Sequence, residues 1–306
     1  MTVSAARYPP SPFYSDDDVR LLEQFRVAGR APRPGFIVDF LDVHTRVTSL
    51  ADGQRASEGV LDIPVPGDYH AEAIEYVGLL KGVIRAKDQF VVLEVGAGWG
   101  PWLVAGAKAA RARGIETVRL YGIEADPTHV EFMRQHLRDN GLDPEGHCLI
   151  HAAVGLEPGR ARFPRVADAA NDWGSRPARL AAGETNQEDV RYLGPLLEAS
   201  LEVDVLSLAD VLAREPRWDL VHIDIQGWEA FVCEGSYAHL NARVATLVIG
   251  THSRKIEGDL VALFHREGWM LENEQPSRFR YLQGVPLLES MNLADGTQVW
   301  TNPRLA

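Results

Sequence analysis

From residue 88 onward, short apolar runs alternate with segments whose apolar positions recur every three to four residues. "QFVVLEV", "VRLYGIE", "CLIHAAVG", "DLVHIDI" and "VATLVIG" are continuous runs of strand length, the pattern of strands covered on both faces. Residues 100–113, "PTHVEFMRQHLRDNG", "GWEAFVCEGSYAHL" and "KIEGDLVALFHREG" have helical spacing, and "WMLENE" and "TQVWTN" add two strands. The punctuation agrees: Asp126 suits an N-cap, Pro127 the first helical position, and Asn140-Gly141 a stop. Strands alternating with helices predict βαβ units, hence a mainly parallel sheet with helices on both faces. Residues 16–87 read as a mostly helical N-terminal extension, broken at "APRPG" and "PVPGDYH". Within it Ala73, Ile74, Val77, Leu80 and Ile84 place one helix over 70–84. Its core is too small for an independent domain, so its expected role is to cover the active site or to form a homodimer contact. The Pro/Ser-rich stretch 1–15 reads as a flexible N-terminus. Residues 157–200 read as an irregular connection of the length that forms lids.

Composition narrows the class. The chain has 306 residues, 45% hydrophobic and 24% charged, as in ordinary soluble globular proteins. No run reaches the roughly 18 apolar residues of a membrane span, and the N-terminus lacks the apolar core of a secretory signal. Two cysteines, Cys148 and Cys233, stand without metal-ligand spacing. That excludes a zinc module and a disulfide framework, and fits a reducing cytoplasm. A formal net charge of −12 opposes nucleic acid as partner. The expected partner is a small molecule.

Candidate chemistry lies where strands end, because ligands of parallel sheets bind there. The first strand runs into "EVGAGWG". Gly96, Gly98 and Gly100 either make a tight turn or leave backbone bare for a ligand, with Ala97 and Trp99 between them. The spacing is GxGxG, whereas a dinucleotide pyrophosphate site has GxGxxG. Glu94, just before the turn, would repel a pyrophosphate and attract an ammonium or sulfonium. Glu124 ends the second strand, followed by Ala125, and is placed to accept both hydroxyls of a ribose. The two acids together describe S-adenosylmethionine. A nicotinamide-dependent oxidoreductase and a non-catalytic nucleoside-binding scaffold are the competing classes.

In order along the chain, "VVLEVGAGWGPW", "LYGIEADP", "HAAVG", "VDVLSLADVL", "DLVHIDIQGWEAFVCEG" and "VIGTHSRKIEGDL" resemble the FkbM family of methyltransferases over residues 68 to 273. The resemblance implies the class I methyltransferase fold, a Rossmann-like seven-stranded sheet, and S-adenosylmethionine as donor. It also implies O-methylation of a sugar, glycan or secondary metabolite. In that fold the third strand lies beside the adenine, so Ala152, Ala153 and Val154 are adenine contacts or plain core. Asp224 and Gln226 are further donor contacts, and Asp224 holds the sulfonium side, orients the base or binds the acceptor. The family pattern Ile-Asp-x-Glu-Gly reads Ile223-Asp224-Ile225-Gln226-Gly227 here, and the lost carboxylate weakens any metal role taken from relatives.

The remaining candidates follow from placement. His252, at the tip of a central strand, is the expected general base or acceptor contact, with Asp224 beside it. His222 shares a face with Asp224 but lies deeper, as an interior histidine would. Asp224, Glu229 and His252 could converge on a divalent cation, but Glu229 starts a helix whose dipole already favours an acid there. The preferred reading is therefore a site without metal. Tyr69 and His70 are placed to close over the methionine part of the donor. Trp173, in "NDWGSRP", could stack on adenine or sugar or merely anchor its loop, and Arg176 could meet an acidic acceptor.

Overall fold

Seven strands form the central sheet: β1 Gln89–Val95, β2 Thr117–Glu124, β3 Cys148–His151, β4 Leu220–Ile223, β5 Thr246–Thr251, β6 Met270–Gln275 and β7 Gly296–Thr301. They are seen in a computed structural model that describes residues 11–179, 200–285 and 288–305. The spatial order is β6-β7-β5-β4-β1-β2-β3. Neighbours from β5 to β3 are parallel, and β7 alone runs antiparallel to both its neighbours, β5 and β6. The order reverses between β1 and β4, so the crevice for a ligand opens at their carboxyl ends. The longer helices among the described residues cover the sheet: α1 Asp16–Phe25, α2 Ala73–Arg85, α3 Pro101–Ala112, α4 Pro127–Asp139, α5 Glu229–Arg243 and α6 Arg254–Arg266. None is long and apolar enough to cross a membrane.

The period of two along each strand sorts the core into two layers. Val92, Leu220, Val248 and Val299 pack with Tyr76, Val77, Leu80, Leu103 and Ala107 of α2 and α3. Val91, Val221, Leu247 and Trp300 pack with Val232, Leu240, Leu260 and Phe264 of α5 and α6. Two residues beyond Val92 and Leu220, the first layer holds Glu94 and His222, only 1% and 3% exposed. A buried Val or Leu there would contribute about 1.5–3 kcal/mol. Two polar side chains in its place need a chemical reason.

The N-terminal extension departs from the helical expectation. Besides α1 and α2 it holds a three-stranded sheet of Phe36–Val38, His44–Arg46 and Gly59–Val60. Strands of two or three residues carry too few positions for a periodic signal. This sheet is sewn to α4: the His44 backbone N–H donates to Asn140 Oδ1 at 2.8 Å, the Asn140 amide donates back to the His44 carbonyl at 2.9 Å, and Arg46 pairs with Asp139. Ser15 caps α1 in a capping box with Asp18, and Asp18 pairs with Lys81 of α2 at 3.0 Å. The expected flexible stretch 1–15 falls in its first ten residues outside the described part.

The connection 157–200 is also less irregular than expected. Gly159–Pro164 and Ser200–Ser207 pair antiparallel in a second sheet with Ala153–Gly155 and Ala178–Arg179. Residues 180–199 of the expected lid lie outside the described residues.

Candidate active site

At the carboxyl ends of β1, β2 and β4 the structure holds a cavity of about 410 Å³. Among the described residues its lining includes six carboxylates (Glu75, Glu94, Glu124, Asp172, Asp224 and Asp295) and three histidines (His70, His129 and His222), but no lysine or arginine.

The glycine turn forms one wall. Gly96 and Ala97 both donate their backbone N–H to the Ile123 carbonyl at 3.0 Å, which folds the turn back onto β2. The glycines answer to protein packing before any ligand. A Cβ on Gly96, at φ +75°, would fall 1.8 Å from the Asp224 carbonyl oxygen. On Gly100 it would fall 2.9 Å from Met133, and on Gly98 3.3 Å from the Trp173 ring. Gly96 and Gly98 line the cavity all the same, as do Ala97 and Trp99.

Glu94 lines the cavity and caps α3, accepting the Leu103 backbone N–H at 3.0 Å and that of Trp102 at 3.5 Å. Burial lifts its carboxyl well above the ordinary range despite those donors. Glu75, from α2, has no signal in the sequence pattern, yet it lines the same wall and burial pushes it up to about 7. His222 faces it, with Nε2 3.6 Å from Glu75 Oε2. Neither ring nitrogen of His222 has a hydrogen-bond partner among the described residues. Burial lowers this histidine to about 4, so the ring is neutral. It is therefore buried, as the interior histidine expected would be, but it also lines the cavity and leaves both ring nitrogens unpaired. Its apolar support is Trp102, whose ring lies 5.3 Å away.

Tyr69 and His70 part company. His70 lines the cavity, and its Nε2 donates at 2.8 Å to the Tyr76 hydroxyl, which donates in turn to Asp68. Tyr69 turns to the other side, where its hydroxyl donates to Thr45 at 3.1 Å. It is not in the cavity wall, which corrects the expected donor contact.

At the end of β2, Glu124 accepts the Gly98 N–H at 2.9 Å and the Asp126 N–H at 2.7 Å. Asp126 caps α4 through Thr128 and His129, as the sequence indicates. His129 Nδ1 stands 3.9 Å from Glu124, and its Nε2 donates to the Ala169 carbonyl at 2.8 Å. Burial opposes both charges, but the pair outweighs it, lowering Glu124 and raising His129. The His129 share of stability is full below the ordinary histidine value of 6.5 and is lost as pH rises through the raised folded value. His129→Gln, which can still donate to Ala169, is thus expected to cost more stability near about pH 6 than near about pH 9. Thermal melts of both proteins at the two pH values measure this, and an equal cost at both would contradict it.

Ala125, Ala152, Ala153 and Val154 line the cavity beside Glu124. Trp173 also lines it, but one ring face is already stacked on His129, with centroids 4.1 Å apart and planes 9° apart. Its Nε1 donates to the Ala170 carbonyl at 2.9 Å, which anchors the loop. Arg176 does not reach the cavity. It is buried, with its guanidinium donating to the Gln226 carbonyl at 3.3 Å, so the expected contact with an acidic acceptor is corrected. Gln226 has a left-handed backbone (φ 56°), lines the cavity, and donates to Asp224 Oδ1 at 3.3 Å.

Asp224, just past β4, is fastened to β1 by its N–H, which donates to the Val95 carbonyl at 2.9 Å, and its side chain opens to the cavity. His252, just past β5, is buried behind it. Its Nδ1 donates to Glu229 Oε1 at 2.9 Å and its Nε2 stands 3.4 Å from Asp224 Oδ1. Burial disfavours a charged ring, but Glu229 and Asp224 prevail and raise His252 to about 10. A proton so firmly held makes His252 a poor base near neutrality. This turns attention to Asp224 as the proton acceptor, with His252 held behind it.

The strand order, the glycine turn after β1 and the acids closing β1, β2 and β4 define a class I methyltransferase. The chain belongs to the FkbM methyltransferase family: the Methyltransferase FkbM domain matches residues 94–274, more than half of its length. A Jannaschia sp. (strain CCS1) protein named as a methyltransferase is 30% identical over 285 residues, 93% of this chain and 98% of that one. Among solved structures, the FkbM methyltransferase from Methylobacillus flagellatus KT is 14% identical, with a TM-score of 0.43 over 72% of this chain and 46% of that one. The precorrin-6y C5,15-methyltransferase from Geobacter metallireducens GS-15 is 11% identical, with a TM-score of 0.40 over 76% and 88%.

Proposed function

We propose that the cavity binds S-adenosylmethionine and that the protein moves its methyl group to a hydroxyl oxygen of a small polar acceptor, a sugar-bearing metabolite or glycan. The observation that carries this reading is the composition of the wall: six acidic side chains and no lysine or arginine among its described residues. The donor brings a sulfonium, an ammonium and one carboxylate, hence one net positive charge. A nicotinamide dinucleotide brings a doubly negative pyrophosphate, which these walls would repel.

Glu124 suits the ribose hydroxyls, because each of its oxygens has a lone pair beyond the backbone N–H it already accepts. Glu75 and Glu94 suit the cationic amino-acid end, where His222 adds a neutral donor and acceptor. Asp172, Asp295 and the ring of Trp228 line the same cavity and offer a sugar both hydrogen-bond acceptors and a flat apolar face. In the reaction Asp224 takes the hydroxyl proton. The oxygen lone pair forms the bond to the methyl carbon as the carbon–sulfur bond breaks in line, and that pair returns to sulfur as a neutral thioether.

Calorimetric titration with S-adenosylhomocysteine tests the donor half. Glu75, held near about 7, must be ionised to meet the ammonium. Affinity is therefore expected to rise as pH climbs through about 7, with protons released on binding, and Glu75→Gln should weaken that dependence, leaving the part due to the raised Glu94. Absence of binding, or tight binding of an adenine dinucleotide instead, would sink the donor assignment. Transfer of a labelled methyl group to a panel of glycosides, located by NMR, tests the acceptor half. Label found on nitrogen would refute O-methylation.

A further inference from the structure

The excursion between β6 and β7, residues 276–295, holds an apolar surface that the proposed reaction does not use. Phe279, Tyr281, Leu282, Leu288 and Leu293 are five of the twelve large apolar side chains exposed among the described residues, a concentration that marks an interaction surface. Tyr281 is 71% and Leu293 68% exposed, so they stand clear of the fold and do not wall a groove. Within the excursion Arg278–Phe279 and Asn292–Ala294 pair antiparallel as a short ribbon. Glu257 fastens its base, accepting the Thr251 hydroxyl at 3.2 Å and the Ser277 N–H. On the returning arm Gly296 pairs with Thr251 at the end of β5, and Thr297 with Gln275 at the end of β6. The ribbon therefore stands at the carboxyl end of the sheet, where the cavity opens, and Asp295 just after it lines that cavity. Two exposed arginines, Arg278 and Arg280, flank Phe279, and neither has an ion pair among the described residues.

We propose that this ribbon docks the protein on a phospholipid surface, without crossing it. Phe279, Tyr281, Leu282 and Leu293 enter the headgroup layer, where aromatic rings with one polar end are favoured. The guanidiniums of Arg278 and Arg280 take lipid phosphates, whose geometry they match with paired N–H groups. Composition and exposure choose this occupant. A second copy would bring together two chains of formal net charge −12, which opposes association. A groove for a peptide would cover its own walls, whereas these side chains are bare. A bilayer offers phosphates to the arginines and acyl chains to their apolar neighbours at once. The net charge of the chain also opposes an anionic surface, but that repulsion is screened beyond about 8 Å at physiological salt. The arginines meet the phosphates at contact, where screening is least. The docked face is then the one on which the cavity opens.

The test is flotation of the full chain with extruded vesicles of phosphatidylcholine and phosphatidylglycerol, in about 0.15 M salt. The parent is expected to float with these vesicles and to bind about 10- to 30-fold less well to phosphatidylcholine alone. The double variant Arg278→Gln/Arg280→Gln should lose a similar factor on the mixed vesicles. Tyr281→Ser/Leu293→Ser should lose at least about 10-fold on both kinds of vesicle. All four side chains are exposed, so both variants are expected to melt as the parent does. A parent that does not float, or that floats no better than the two variants, overturns the proposal. Light scattering without lipid is the second measurement, and a monomer is expected. Self-association that Tyr281→Ser/Leu293→Ser abolishes would give the ribbon to a second copy and overturn the lipid assignment.

Discussion

Asp224→Asn is expected to lower kcat/KM by about 1000-fold while S-adenosylhomocysteine still binds within about 3-fold of the parent, since general acid–base groups typically contribute 10²–10⁴. The substitution keeps shape and keeps the backbone N–H on the Val95 carbonyl. It removes the ability to take a proton. Desolvation lifts Asp224 to about 6, although His252 and His222 pull the other way, so the carboxylate is ionised at neutrality yet basic enough to help. Steady-state kinetics beside a binding titration separate the two effects. Activity within tenfold of the parent would remove Asp224 from the chemistry.

Gly96→Ala should be the most damaging methyl group added at any described glycine. Its Cβ would lie 1.8 Å from the Asp224 carbonyl oxygen, so β1 and β4 must separate at the very place where the cavity is built. The left-handed backbone adds strain of about 1–3 kcal/mol. The expected outcome is a loss of about 3 kcal/mol or more in urea unfolding, with turnover abolished. Gly114→Ala is the control, because Gly114 has a similar φ of +82° but nothing within 4 Å of the added carbon. It should cost only the strain, about 1–3 kcal/mol. Equal losses in the two variants would show that the close approach at Gly96 has no special weight.

The sheet was legible because buried parallel strands are written as unbroken apolar runs and their helices as regular spacing. Asp126, Pro127 and Asn140-Gly141 bounded α4 for local reasons of capping. The acids at 94 and 124 stood out because a carboxylate ending an apolar run is conspicuous. Other features had no local signature. Glu75 looks like any polar residue in the first turn of a helix, and only the packing of α2 over β4 brings it against His222. Asp295 is far along the chain from Asp224, and no spacing relates them. Tyr69 and His70 are adjacent, so loop geometry alone decides which of them enters the cavity. Trp173 was visible as an aromatic in a loop, but its stacking on His129 depends on where that loop crosses α4.

The position of β7 has a consequence for biosynthesis. It fills the slot between β5 and β6 although it follows both along the chain, and among the described residues β6 has no other neighbour in the sheet. A polypeptide still emerging from the ribosome can therefore complete β1 to β3 while the rim of β5 stays open. Asp295 and the strand that seals this rim arrive together, after every other described residue of the cavity wall.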